Sequence, residues 1–180
     1  REPDGIEPTY YLHSHRLGVL PEYRDAGLGK AMKLRQRENA IERGIELIQW
    51  TFDPLEARNA FFNIERLGAI VRRYVENQYG HTTSALHAGL PTDRFVAEWW
   101  LTSERVRNIL AGGQNGSHPV VEHIPVPADI GEWKSGDPRR ARAVQQEIGR
   151  RCQGAFARGL AIVGLERGAE HYDYLLGEWK

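Results

Sequence analysis

Three observations in the sequence predict an α/β fold. A strand-like run over residues 10–19 and a nearly continuous apolar run over 45–52 flank a helix-forming stretch at 28–43, the pattern of a βαβ unit. Residues 56–67 place Ala57, Ala60, Phe61, Ile64 and Leu67 at i, i+3, i+4, i+7 and i+10, the cleanest amphipathic helix in the chain. From Asp137 a second amphipathic helix is followed by two strand-like runs, 160–165 and 172–179, around Arg167-Gly168-Ala169-Glu170. That is a helix and a β-hairpin.

Taken in order, residues 1–9 carry two prolines and a glycine and read as a loop. The strand over 10–19 sets His13, His15, Leu17 and Val19 on one face and Leu12, Ser14, Arg16 and Gly18 on the other. Leu20-Pro21 ends it, because proline cannot continue a ladder. The helix over 28–43 has Ala31, Leu34 and Ile41 at helical spacing, interrupted by Glu38, and stops at Gly44. The strand over 45–52 closes at Asp53-Pro54 and should run parallel to the first, joined right-handedly. Gly68 caps the helix over 56–67. Strands are expected at 69–79 and 95–101, with a polar loop over 80–93 between them. Residues 102–136, with Gly112-Gly113, Asn115-Gly116, Pro119, Pro125 and Pro127, suggest loops and a short strand near 120–124. Asp137 and Pro138 start the last helix as N-cap and first-turn proline, Ala141, Val144, Ile148, Cys152, Ala155 and Phe156 form its inner face, and Gly159 ends it.

The 180 residues suit one domain with a substantial core, or a domain with an appendage. Basic and acidic residues balance at 24 each, so charge argues for neither a nucleic acid nor an anionic membrane partner. The one cysteine, Cys152, excludes an internal disulfide or a cysteine metal cluster and suggests a reduced, cytoplasmic setting. No apolar run reaches ~18 residues. The opening Arg-Glu-Pro-Asp-Gly, without methionine, suggests that the chain begins inside a longer protein.

The stretch with the most chemistry is Leu17-Gly-Val-Leu-Pro-Glu-Tyr-Arg-Asp-Ala-Gly-Leu-Gly-Lys-Ala31. Two glycines at a helix start let the backbone approach a ligand, and unpaired amides with the positive dipole end favour phosphate. A tight turn without a ligand would use the same glycines. A dinucleotide site is the rival, with Asp53 about 20 residues on as the ribose acid. Against it, Met32 stands at the third glycine position and residues 20–26 separate the strand from the glycines.

Val19-x-Pro21-x-x-Arg24-x-x-Gly27-x-Gly29 between a strand and a helix resembles the acetyl-CoA signature of the GNAT superfamily of N-acyltransferases. The resemblance covers residues 10–101, about half the chain, in the order strand, pyrophosphate turn, helix, strand, helix, strand, strand. It implies a GNAT-like fold, a mixed central sheet with flanking helices, extended by the C-terminal helix and hairpin. The chain then divides into a core at 1–101, a loop-rich connector at 102–136 and a helix-plus-hairpin unit at 137–180. By the same resemblance two parting strands hold acetyl-CoA. Its pantetheine pairs with Leu17, Gly18 and Val19, and its pyrophosphate meets the amides of Arg24, Asp25, Ala26, Gly27, Leu28, Gly29 and Lys30.

The family's asparagine on the next helix falls at Ala57, so Asn59, displaced by two, is the cofactor and catalytic candidate on that helix. Its tyrosine acid falls at Ile64, so the usual proton donor to the leaving thiolate is missing. His13 lies eleven residues before Arg24, where one branch of the family carries a glutamate base, and an imidazole suits proton removal from an amine. A strand histidine without function is the plain alternative. His13 and His15 share a face, but no third ligand is identifiable, so no metal is expected.

The family's two or three strands and two helices before the motif are absent from this sequence, which leaves one edge of the first strand without its neighbour. The C-terminal hairpin is the candidate to complete the sheet, within the chain or in a homodimer. The implied activity is acetyl transfer to an amine acceptor, a small molecule or peptide, by direct attack on the thioester. A noncatalytic acyl-CoA-binding module and a nucleotide- or phosphate-binding domain are the alternatives.

Overall fold

The computed structural model describes residues 10–15, 17–23, 26–80, 90–113 and 119–179. It is α/β, with seven strands in one mixed sheet and five helices. The elements are β1 (Leu12–His13), α1 (Leu28–Glu42), β2 (Leu47–Phe52), α2 (Ala57–Phe61), β3 (Ile70–Val75), β4 (Arg94–Trp100), α3 (Glu104–Leu110), β5 (Val120–Pro127), α4 (Ile130–Gly136), α5 (Pro138–Ala157), β6 (Leu160–Arg167) and β7 (His171–Glu178). The strand order is β1-β2-β4-β3-β6-β7-β5. Only β1 and β2 are parallel; every other neighbouring pair is antiparallel.

One core lies on one face of the sheet. All five helices reach it, through Ala40, Ala60, Val106, Ile130 and Ile148 among others, against Ile48, Trp50, Phe52, Phe95 and Tyr174 of the strands. The opposite face carries a smaller apolar cluster of Leu47, Ile70, Trp100, Ala161 and Val163, with Trp179 against it. There Glu98, 6% exposed, is held by Arg72 at 2.5 Å and by the Trp100 indole N–H at 3.3 Å. Partnering of this kind is what allows a carboxylate to be buried. Among the described residues no helix is long and apolar enough to cross a membrane.

The structure departs from the sequence reading in five places. The first strand is short: Leu12 and His13 pair with Ile48 and Gln49, the Ser14 N–H donates to the Gln49 carbonyl at 2.8 Å, and no further pairing follows among the described residues. The apolar residues Ala31 and Ile41 of α1 face solvent, while Lys33 and Ala40 are buried. On α2 the regular period breaks. Residues 62–66 widen into a π-turn, which leaves Phe61 41% exposed and buries Asn63 beside Ile64. The segment expected to be mainly loop holds α3, β5 and α4. Finally, the hairpin of β6 and β7 joins the sheet beside β3, not beside β1. Among the described residues nothing pairs with the outer edge of β1.

Two glycines fix local geometry. Gly27 adopts φ +77° immediately before α1, where a side chain would strain the backbone. Gly68 adopts φ +80°, and a Cβ there would lie 3.3 Å from the Val106 backbone, so it sets how closely α3 approaches the end of the π-turn.

Candidate functional site

The geometry of the site follows from the place where β1 and β2 part. Among the described residues the chain makes no further ladder with β2 beyond Ser14, and Leu17, Gly18 and Leu20 are exposed. Pro21–Tyr23 forms a single 3₁₀ turn, closed by the Tyr23 N–H on the Leu20 carbonyl at 2.9 Å. Gly27 then turns the backbone into α1, and among the described residues no side chain caps that helix. Among the described residues nothing accepts from its first amides.

A groove of about 950 Å³ lies between this turn and α2. One wall is Val19, Tyr23, Gly27, Leu28, Gly29 and Lys30; the other is Glu56, Arg58, Asn59, Phe62 and Arg66. Among the described residues three cationic side chains face one acid, and Lys134 holds that acid, Glu56, at 2.7 Å. The groove is thus electropositive and suited to an anion carrying several charges. Among the described residues Lys30 and Arg66 form no ion pair, and Arg66 lies over the Phe61 ring at 5.4 Å. A second cavity, about 540 Å³, lies across Arg58 on the far side of α2, between Phe61, Leu165, Arg167, His171 and Tyr172.

The sequence-derived residues fall as follows. Val19, Gly27, Leu28, Gly29, Lys30 and Asn59 line the groove together. Ala26 is exposed just before it, while Leu17 and Gly18 lie exposed on the approach. Arg24 and Asp25 are outside the described residues. Ile64, at the position of the family's acid, is fully buried in the core. His13 is exposed on the face of β1 opposite the helices, its ring 5.9 Å from that of His15 in an edge-on arrangement. Among the described residues no cluster of three or more His, Cys, Asp or Glu is placed to hold a metal. Asp53 is occupied structurally. One oxygen accepts from the Leu55 N–H at 2.8 Å and the other pairs with Lys134 at 3.1 Å.

Sequence reasoning missed the polar lining beneath the groove. Asn59 accepts from the Asn63 side-chain amide at 3.3 Å, and Asn63 accepts from the Trp50 indole N–H at 3.2 Å. The Lys33 ammonium lies over the Trp50 ring, 3.7 Å from its centroid. Lys33 is 3% exposed, and burial lowers its pKa from 10.5 to about 8. Its Nζ donates to Ser14 Oγ and to Gln36 Oε1, both at 3.2 Å. The available signal was spacing. Lys33, Gln36, Arg37 and Ala40 stand at i, i+3, i+4 and i+7, an inward-facing series written in polar residues.

No protein-family model matches the chain, and no curated protein or solved structure is significantly similar to it.

Proposed function

We propose that this chain is an acetyl-CoA-dependent N-acyltransferase that moves an acetyl group directly from the thioester to an amine. The observation that carries the reading is the parting of the parallel pair β1 and β2 at Ser14, beside an uncapped helix start preceded by Gly27. The pantetheine arm would lie between the parted strands, beside Leu17 and Gly18, which pair with no strand among the described residues. The pyrophosphate would sit on the amides at the start of α1, with Lys30, Arg58 and Arg66 around it. The chain order β1, α1, β2, α2, β3, β4 supports the GNAT-like assignment.

His13 faces away from the helices, so an amine reaching the thioester from that side would meet an imidazole able to take its proton. Asn59, held by Asn63, would offer its amide hydrogens to the cofactor arm. The second reading, a noncatalytic acyl-CoA-binding module, is favoured by one observation. Ile64 stands buried where an acid would protonate the thiolate.

Gly29→Glu tests the cofactor site. A Cβ at Gly29 would meet only the Phe62 ring edge, at 4.0 Å, so the fold should tolerate the change. A carboxylate there opposes the pyrophosphate, and acetyl-CoA affinity by calorimetry should fall about 100-fold or more. Unchanged affinity in a folded variant would remove this turn as the phosphate site.

A further inference from the structure

The starting observation is the hydroxyl of Ser14. Its oxygen accepts two hydrogen bonds, from Lys33 Nζ and from Gln36 Nε2, both at 3.2 Å. Lys33 can only donate, so the Gln36 carbonyl oxygen must face it and the Gln36 amide must face Ser14. Both acceptor positions of the hydroxyl are thereby taken by α1. The hydroxyl hydrogen is left pointing away from that helix, and among the described residues nothing accepts it. Ser14, the residue after β1, is also the last of the described residues there bonded to β2, so this donor stands where the described pairing ends.

We propose that Ser14, backed by Lys33, donates the proton that the departing thiolate of coenzyme A requires, replacing the acid that Ile64 cannot supply; the inference rests on the acyltransferase reading above. The amine nitrogen attacks the thioester carbonyl carbon, forming the N–C bond. The C–S bond breaks and its electron pair stays on sulfur. Sulfur takes the Ser14 hydroxyl hydrogen as the oxygen takes a proton from Lys33 Nζ. The surplus proton of the amine leaves on the other face of β1, through His13 or water, and Lys33 is reprotonated from solvent. Ser14 touches the reacting sulfur and is the catalytic residue; Lys33 acts through it and is a positioning residue. Adjacent strand residues point to opposite faces, so His13 and Ser14 separate base from acid across one strand.

The surroundings of Lys33 suit the task. The groups facing it are Ser14 just past β1, Gln36 of its own helix and the Trp50 ring of β2, none of which titrates near neutrality. No carboxylate among the described residues pairs with it, and burial alone accounts for its lowered pKa of about 8. An ammonium so placed gives up a proton more readily than an exposed lysine does.

The test uses acetyl-CoA with hydroxylamine as the probe acceptor, an amine already unprotonated at neutral pH, and follows release of free thiol. Because that amine needs no deprotonation before it attacks, the alkaline limb of kcat reports the acid. For the wild type, kcat should fall as pH rises through about 8. Ser14→Ala should lower kcat about 100-fold with unchanged acetyl-CoA affinity, and Ser14→Thr, which keeps the hydroxyl, should restore most of it. Lys33→Met should abolish the alkaline fall while still binding acetyl-CoA. Wild-type kcat and pH profile in Ser14→Ala would overturn the inference and leave the acyltransferase reading standing. Binding of acetyl-CoA without thiol release above the uncatalysed rate would overturn transfer, and this inference with it. No binding by the wild type would overturn the cofactor assignment itself.

Discussion

The two long helices, α1 and α5, solve the same packing problem with opposite means. α5 begins at Asp137, whose carboxylate accepts from the Arg140 N–H at 3.1 Å, with Pro138 in the first turn. It turns Ala141, Ile148, Cys152 and Ala155 into the core, and Gly149 lies so close to Tyr74 that a Cβ would sit 2.9 Å from its ring. α1 begins at Gly27 without a side-chain cap, and its inward face presents Lys33, Gln36 and Arg37 before Ala40. Arg37 spends its guanidinium on the Leu101 carbonyl at 2.8 Å, and Lys33 on Ser14 and Gln36. Apolar burial therefore holds α5, whereas hydrogen bonding holds α1. The end of the sheet that carries the candidate site lacks the devices that stabilise the other end, as expected where open amides and buried polar groups serve a ligand.

The largest expected effect tests the α5 side. Ile148 is 2% exposed in the main core, so Ile148→Ala should cost about 2–5 kcal/mol in denaturant unfolding. Met32 of α1 is 48% exposed, and Met32→Ala should stay within about 0.5 kcal/mol. Comparable losses at the two positions would erase the contrast between the helices.

A change at Lys33 sharpens it in the other direction. Its pKa is lowered in the folded protein, so below about pH 8 the lysine is charged in both states and folding bears the full cost of burying it. Between about 8 and 10.5 the folded protein sheds a proton that the unfolded chain keeps, and stability from this group rises with pH. That gap corresponds to about 3 kcal/mol. Lys33→Met should accordingly stabilise the fold by about 1–3 kcal/mol at pH 7, since the hydrogen bonds lost by Ser14 and Gln36 offset part of the gain. The advantage should shrink by pH 9.5. Urea titrations at both pH values decide it; a variant that is weaker by the same amount at each would mean the ammonium is not under strain.

The same contrast explains what the sequence could and could not disclose. α5 and the hairpin are written in apolar residues at regular spacing, and Asp137-Pro138 and Gly159 mark the helix ends, so period and boundaries were legible. The glycine turn and the βαβ order were legible because backbone geometry demands those residue types. The inner face of α1 was hidden because its burial is polar, and hydrophobic periodicity then selects exposed residues such as Ala31 and Ile41. The π-turn at 62–66 leaves no compositional mark, so a regular helix wrongly buried Phe61 and missed Asn63. The start of β5 was legible as a short strand near 120–124, and its end was obscured by Pro125 and Pro127, which read as loop signals. At the sheet's outer edge the missing N–H groups cost no ladder bond, and both prolines fit there. The length of β1 was unreadable for a different reason. Nothing in residues 14–19 says where pairing with β2 stops.

The smallest expected effect separates the two helix starts from one another. Asp137→Ala leaves the first amides of α5 to water and should cost about 1 kcal/mol, a fall in Tm of about 2–4 °C for a chain of this size. Proline at the first turn still preorganises the helix, so the loss should not exceed that. Acetyl-CoA at about 100 times its Kd should raise stability by about 2.7 kcal/mol, and by the same amount in wild type and variant. The reason is spatial: the ligand would engage the amides at the start of α1, whereas Asp137 caps a helix packed around β3, β5 and β6. Two thermal melts with ligand and two without measure both quantities. A ligand-induced gain that is smaller in Asp137→Ala would show that the two ends of the sheet are coupled, and the separation of a stabilised scaffold from an open site would then fail.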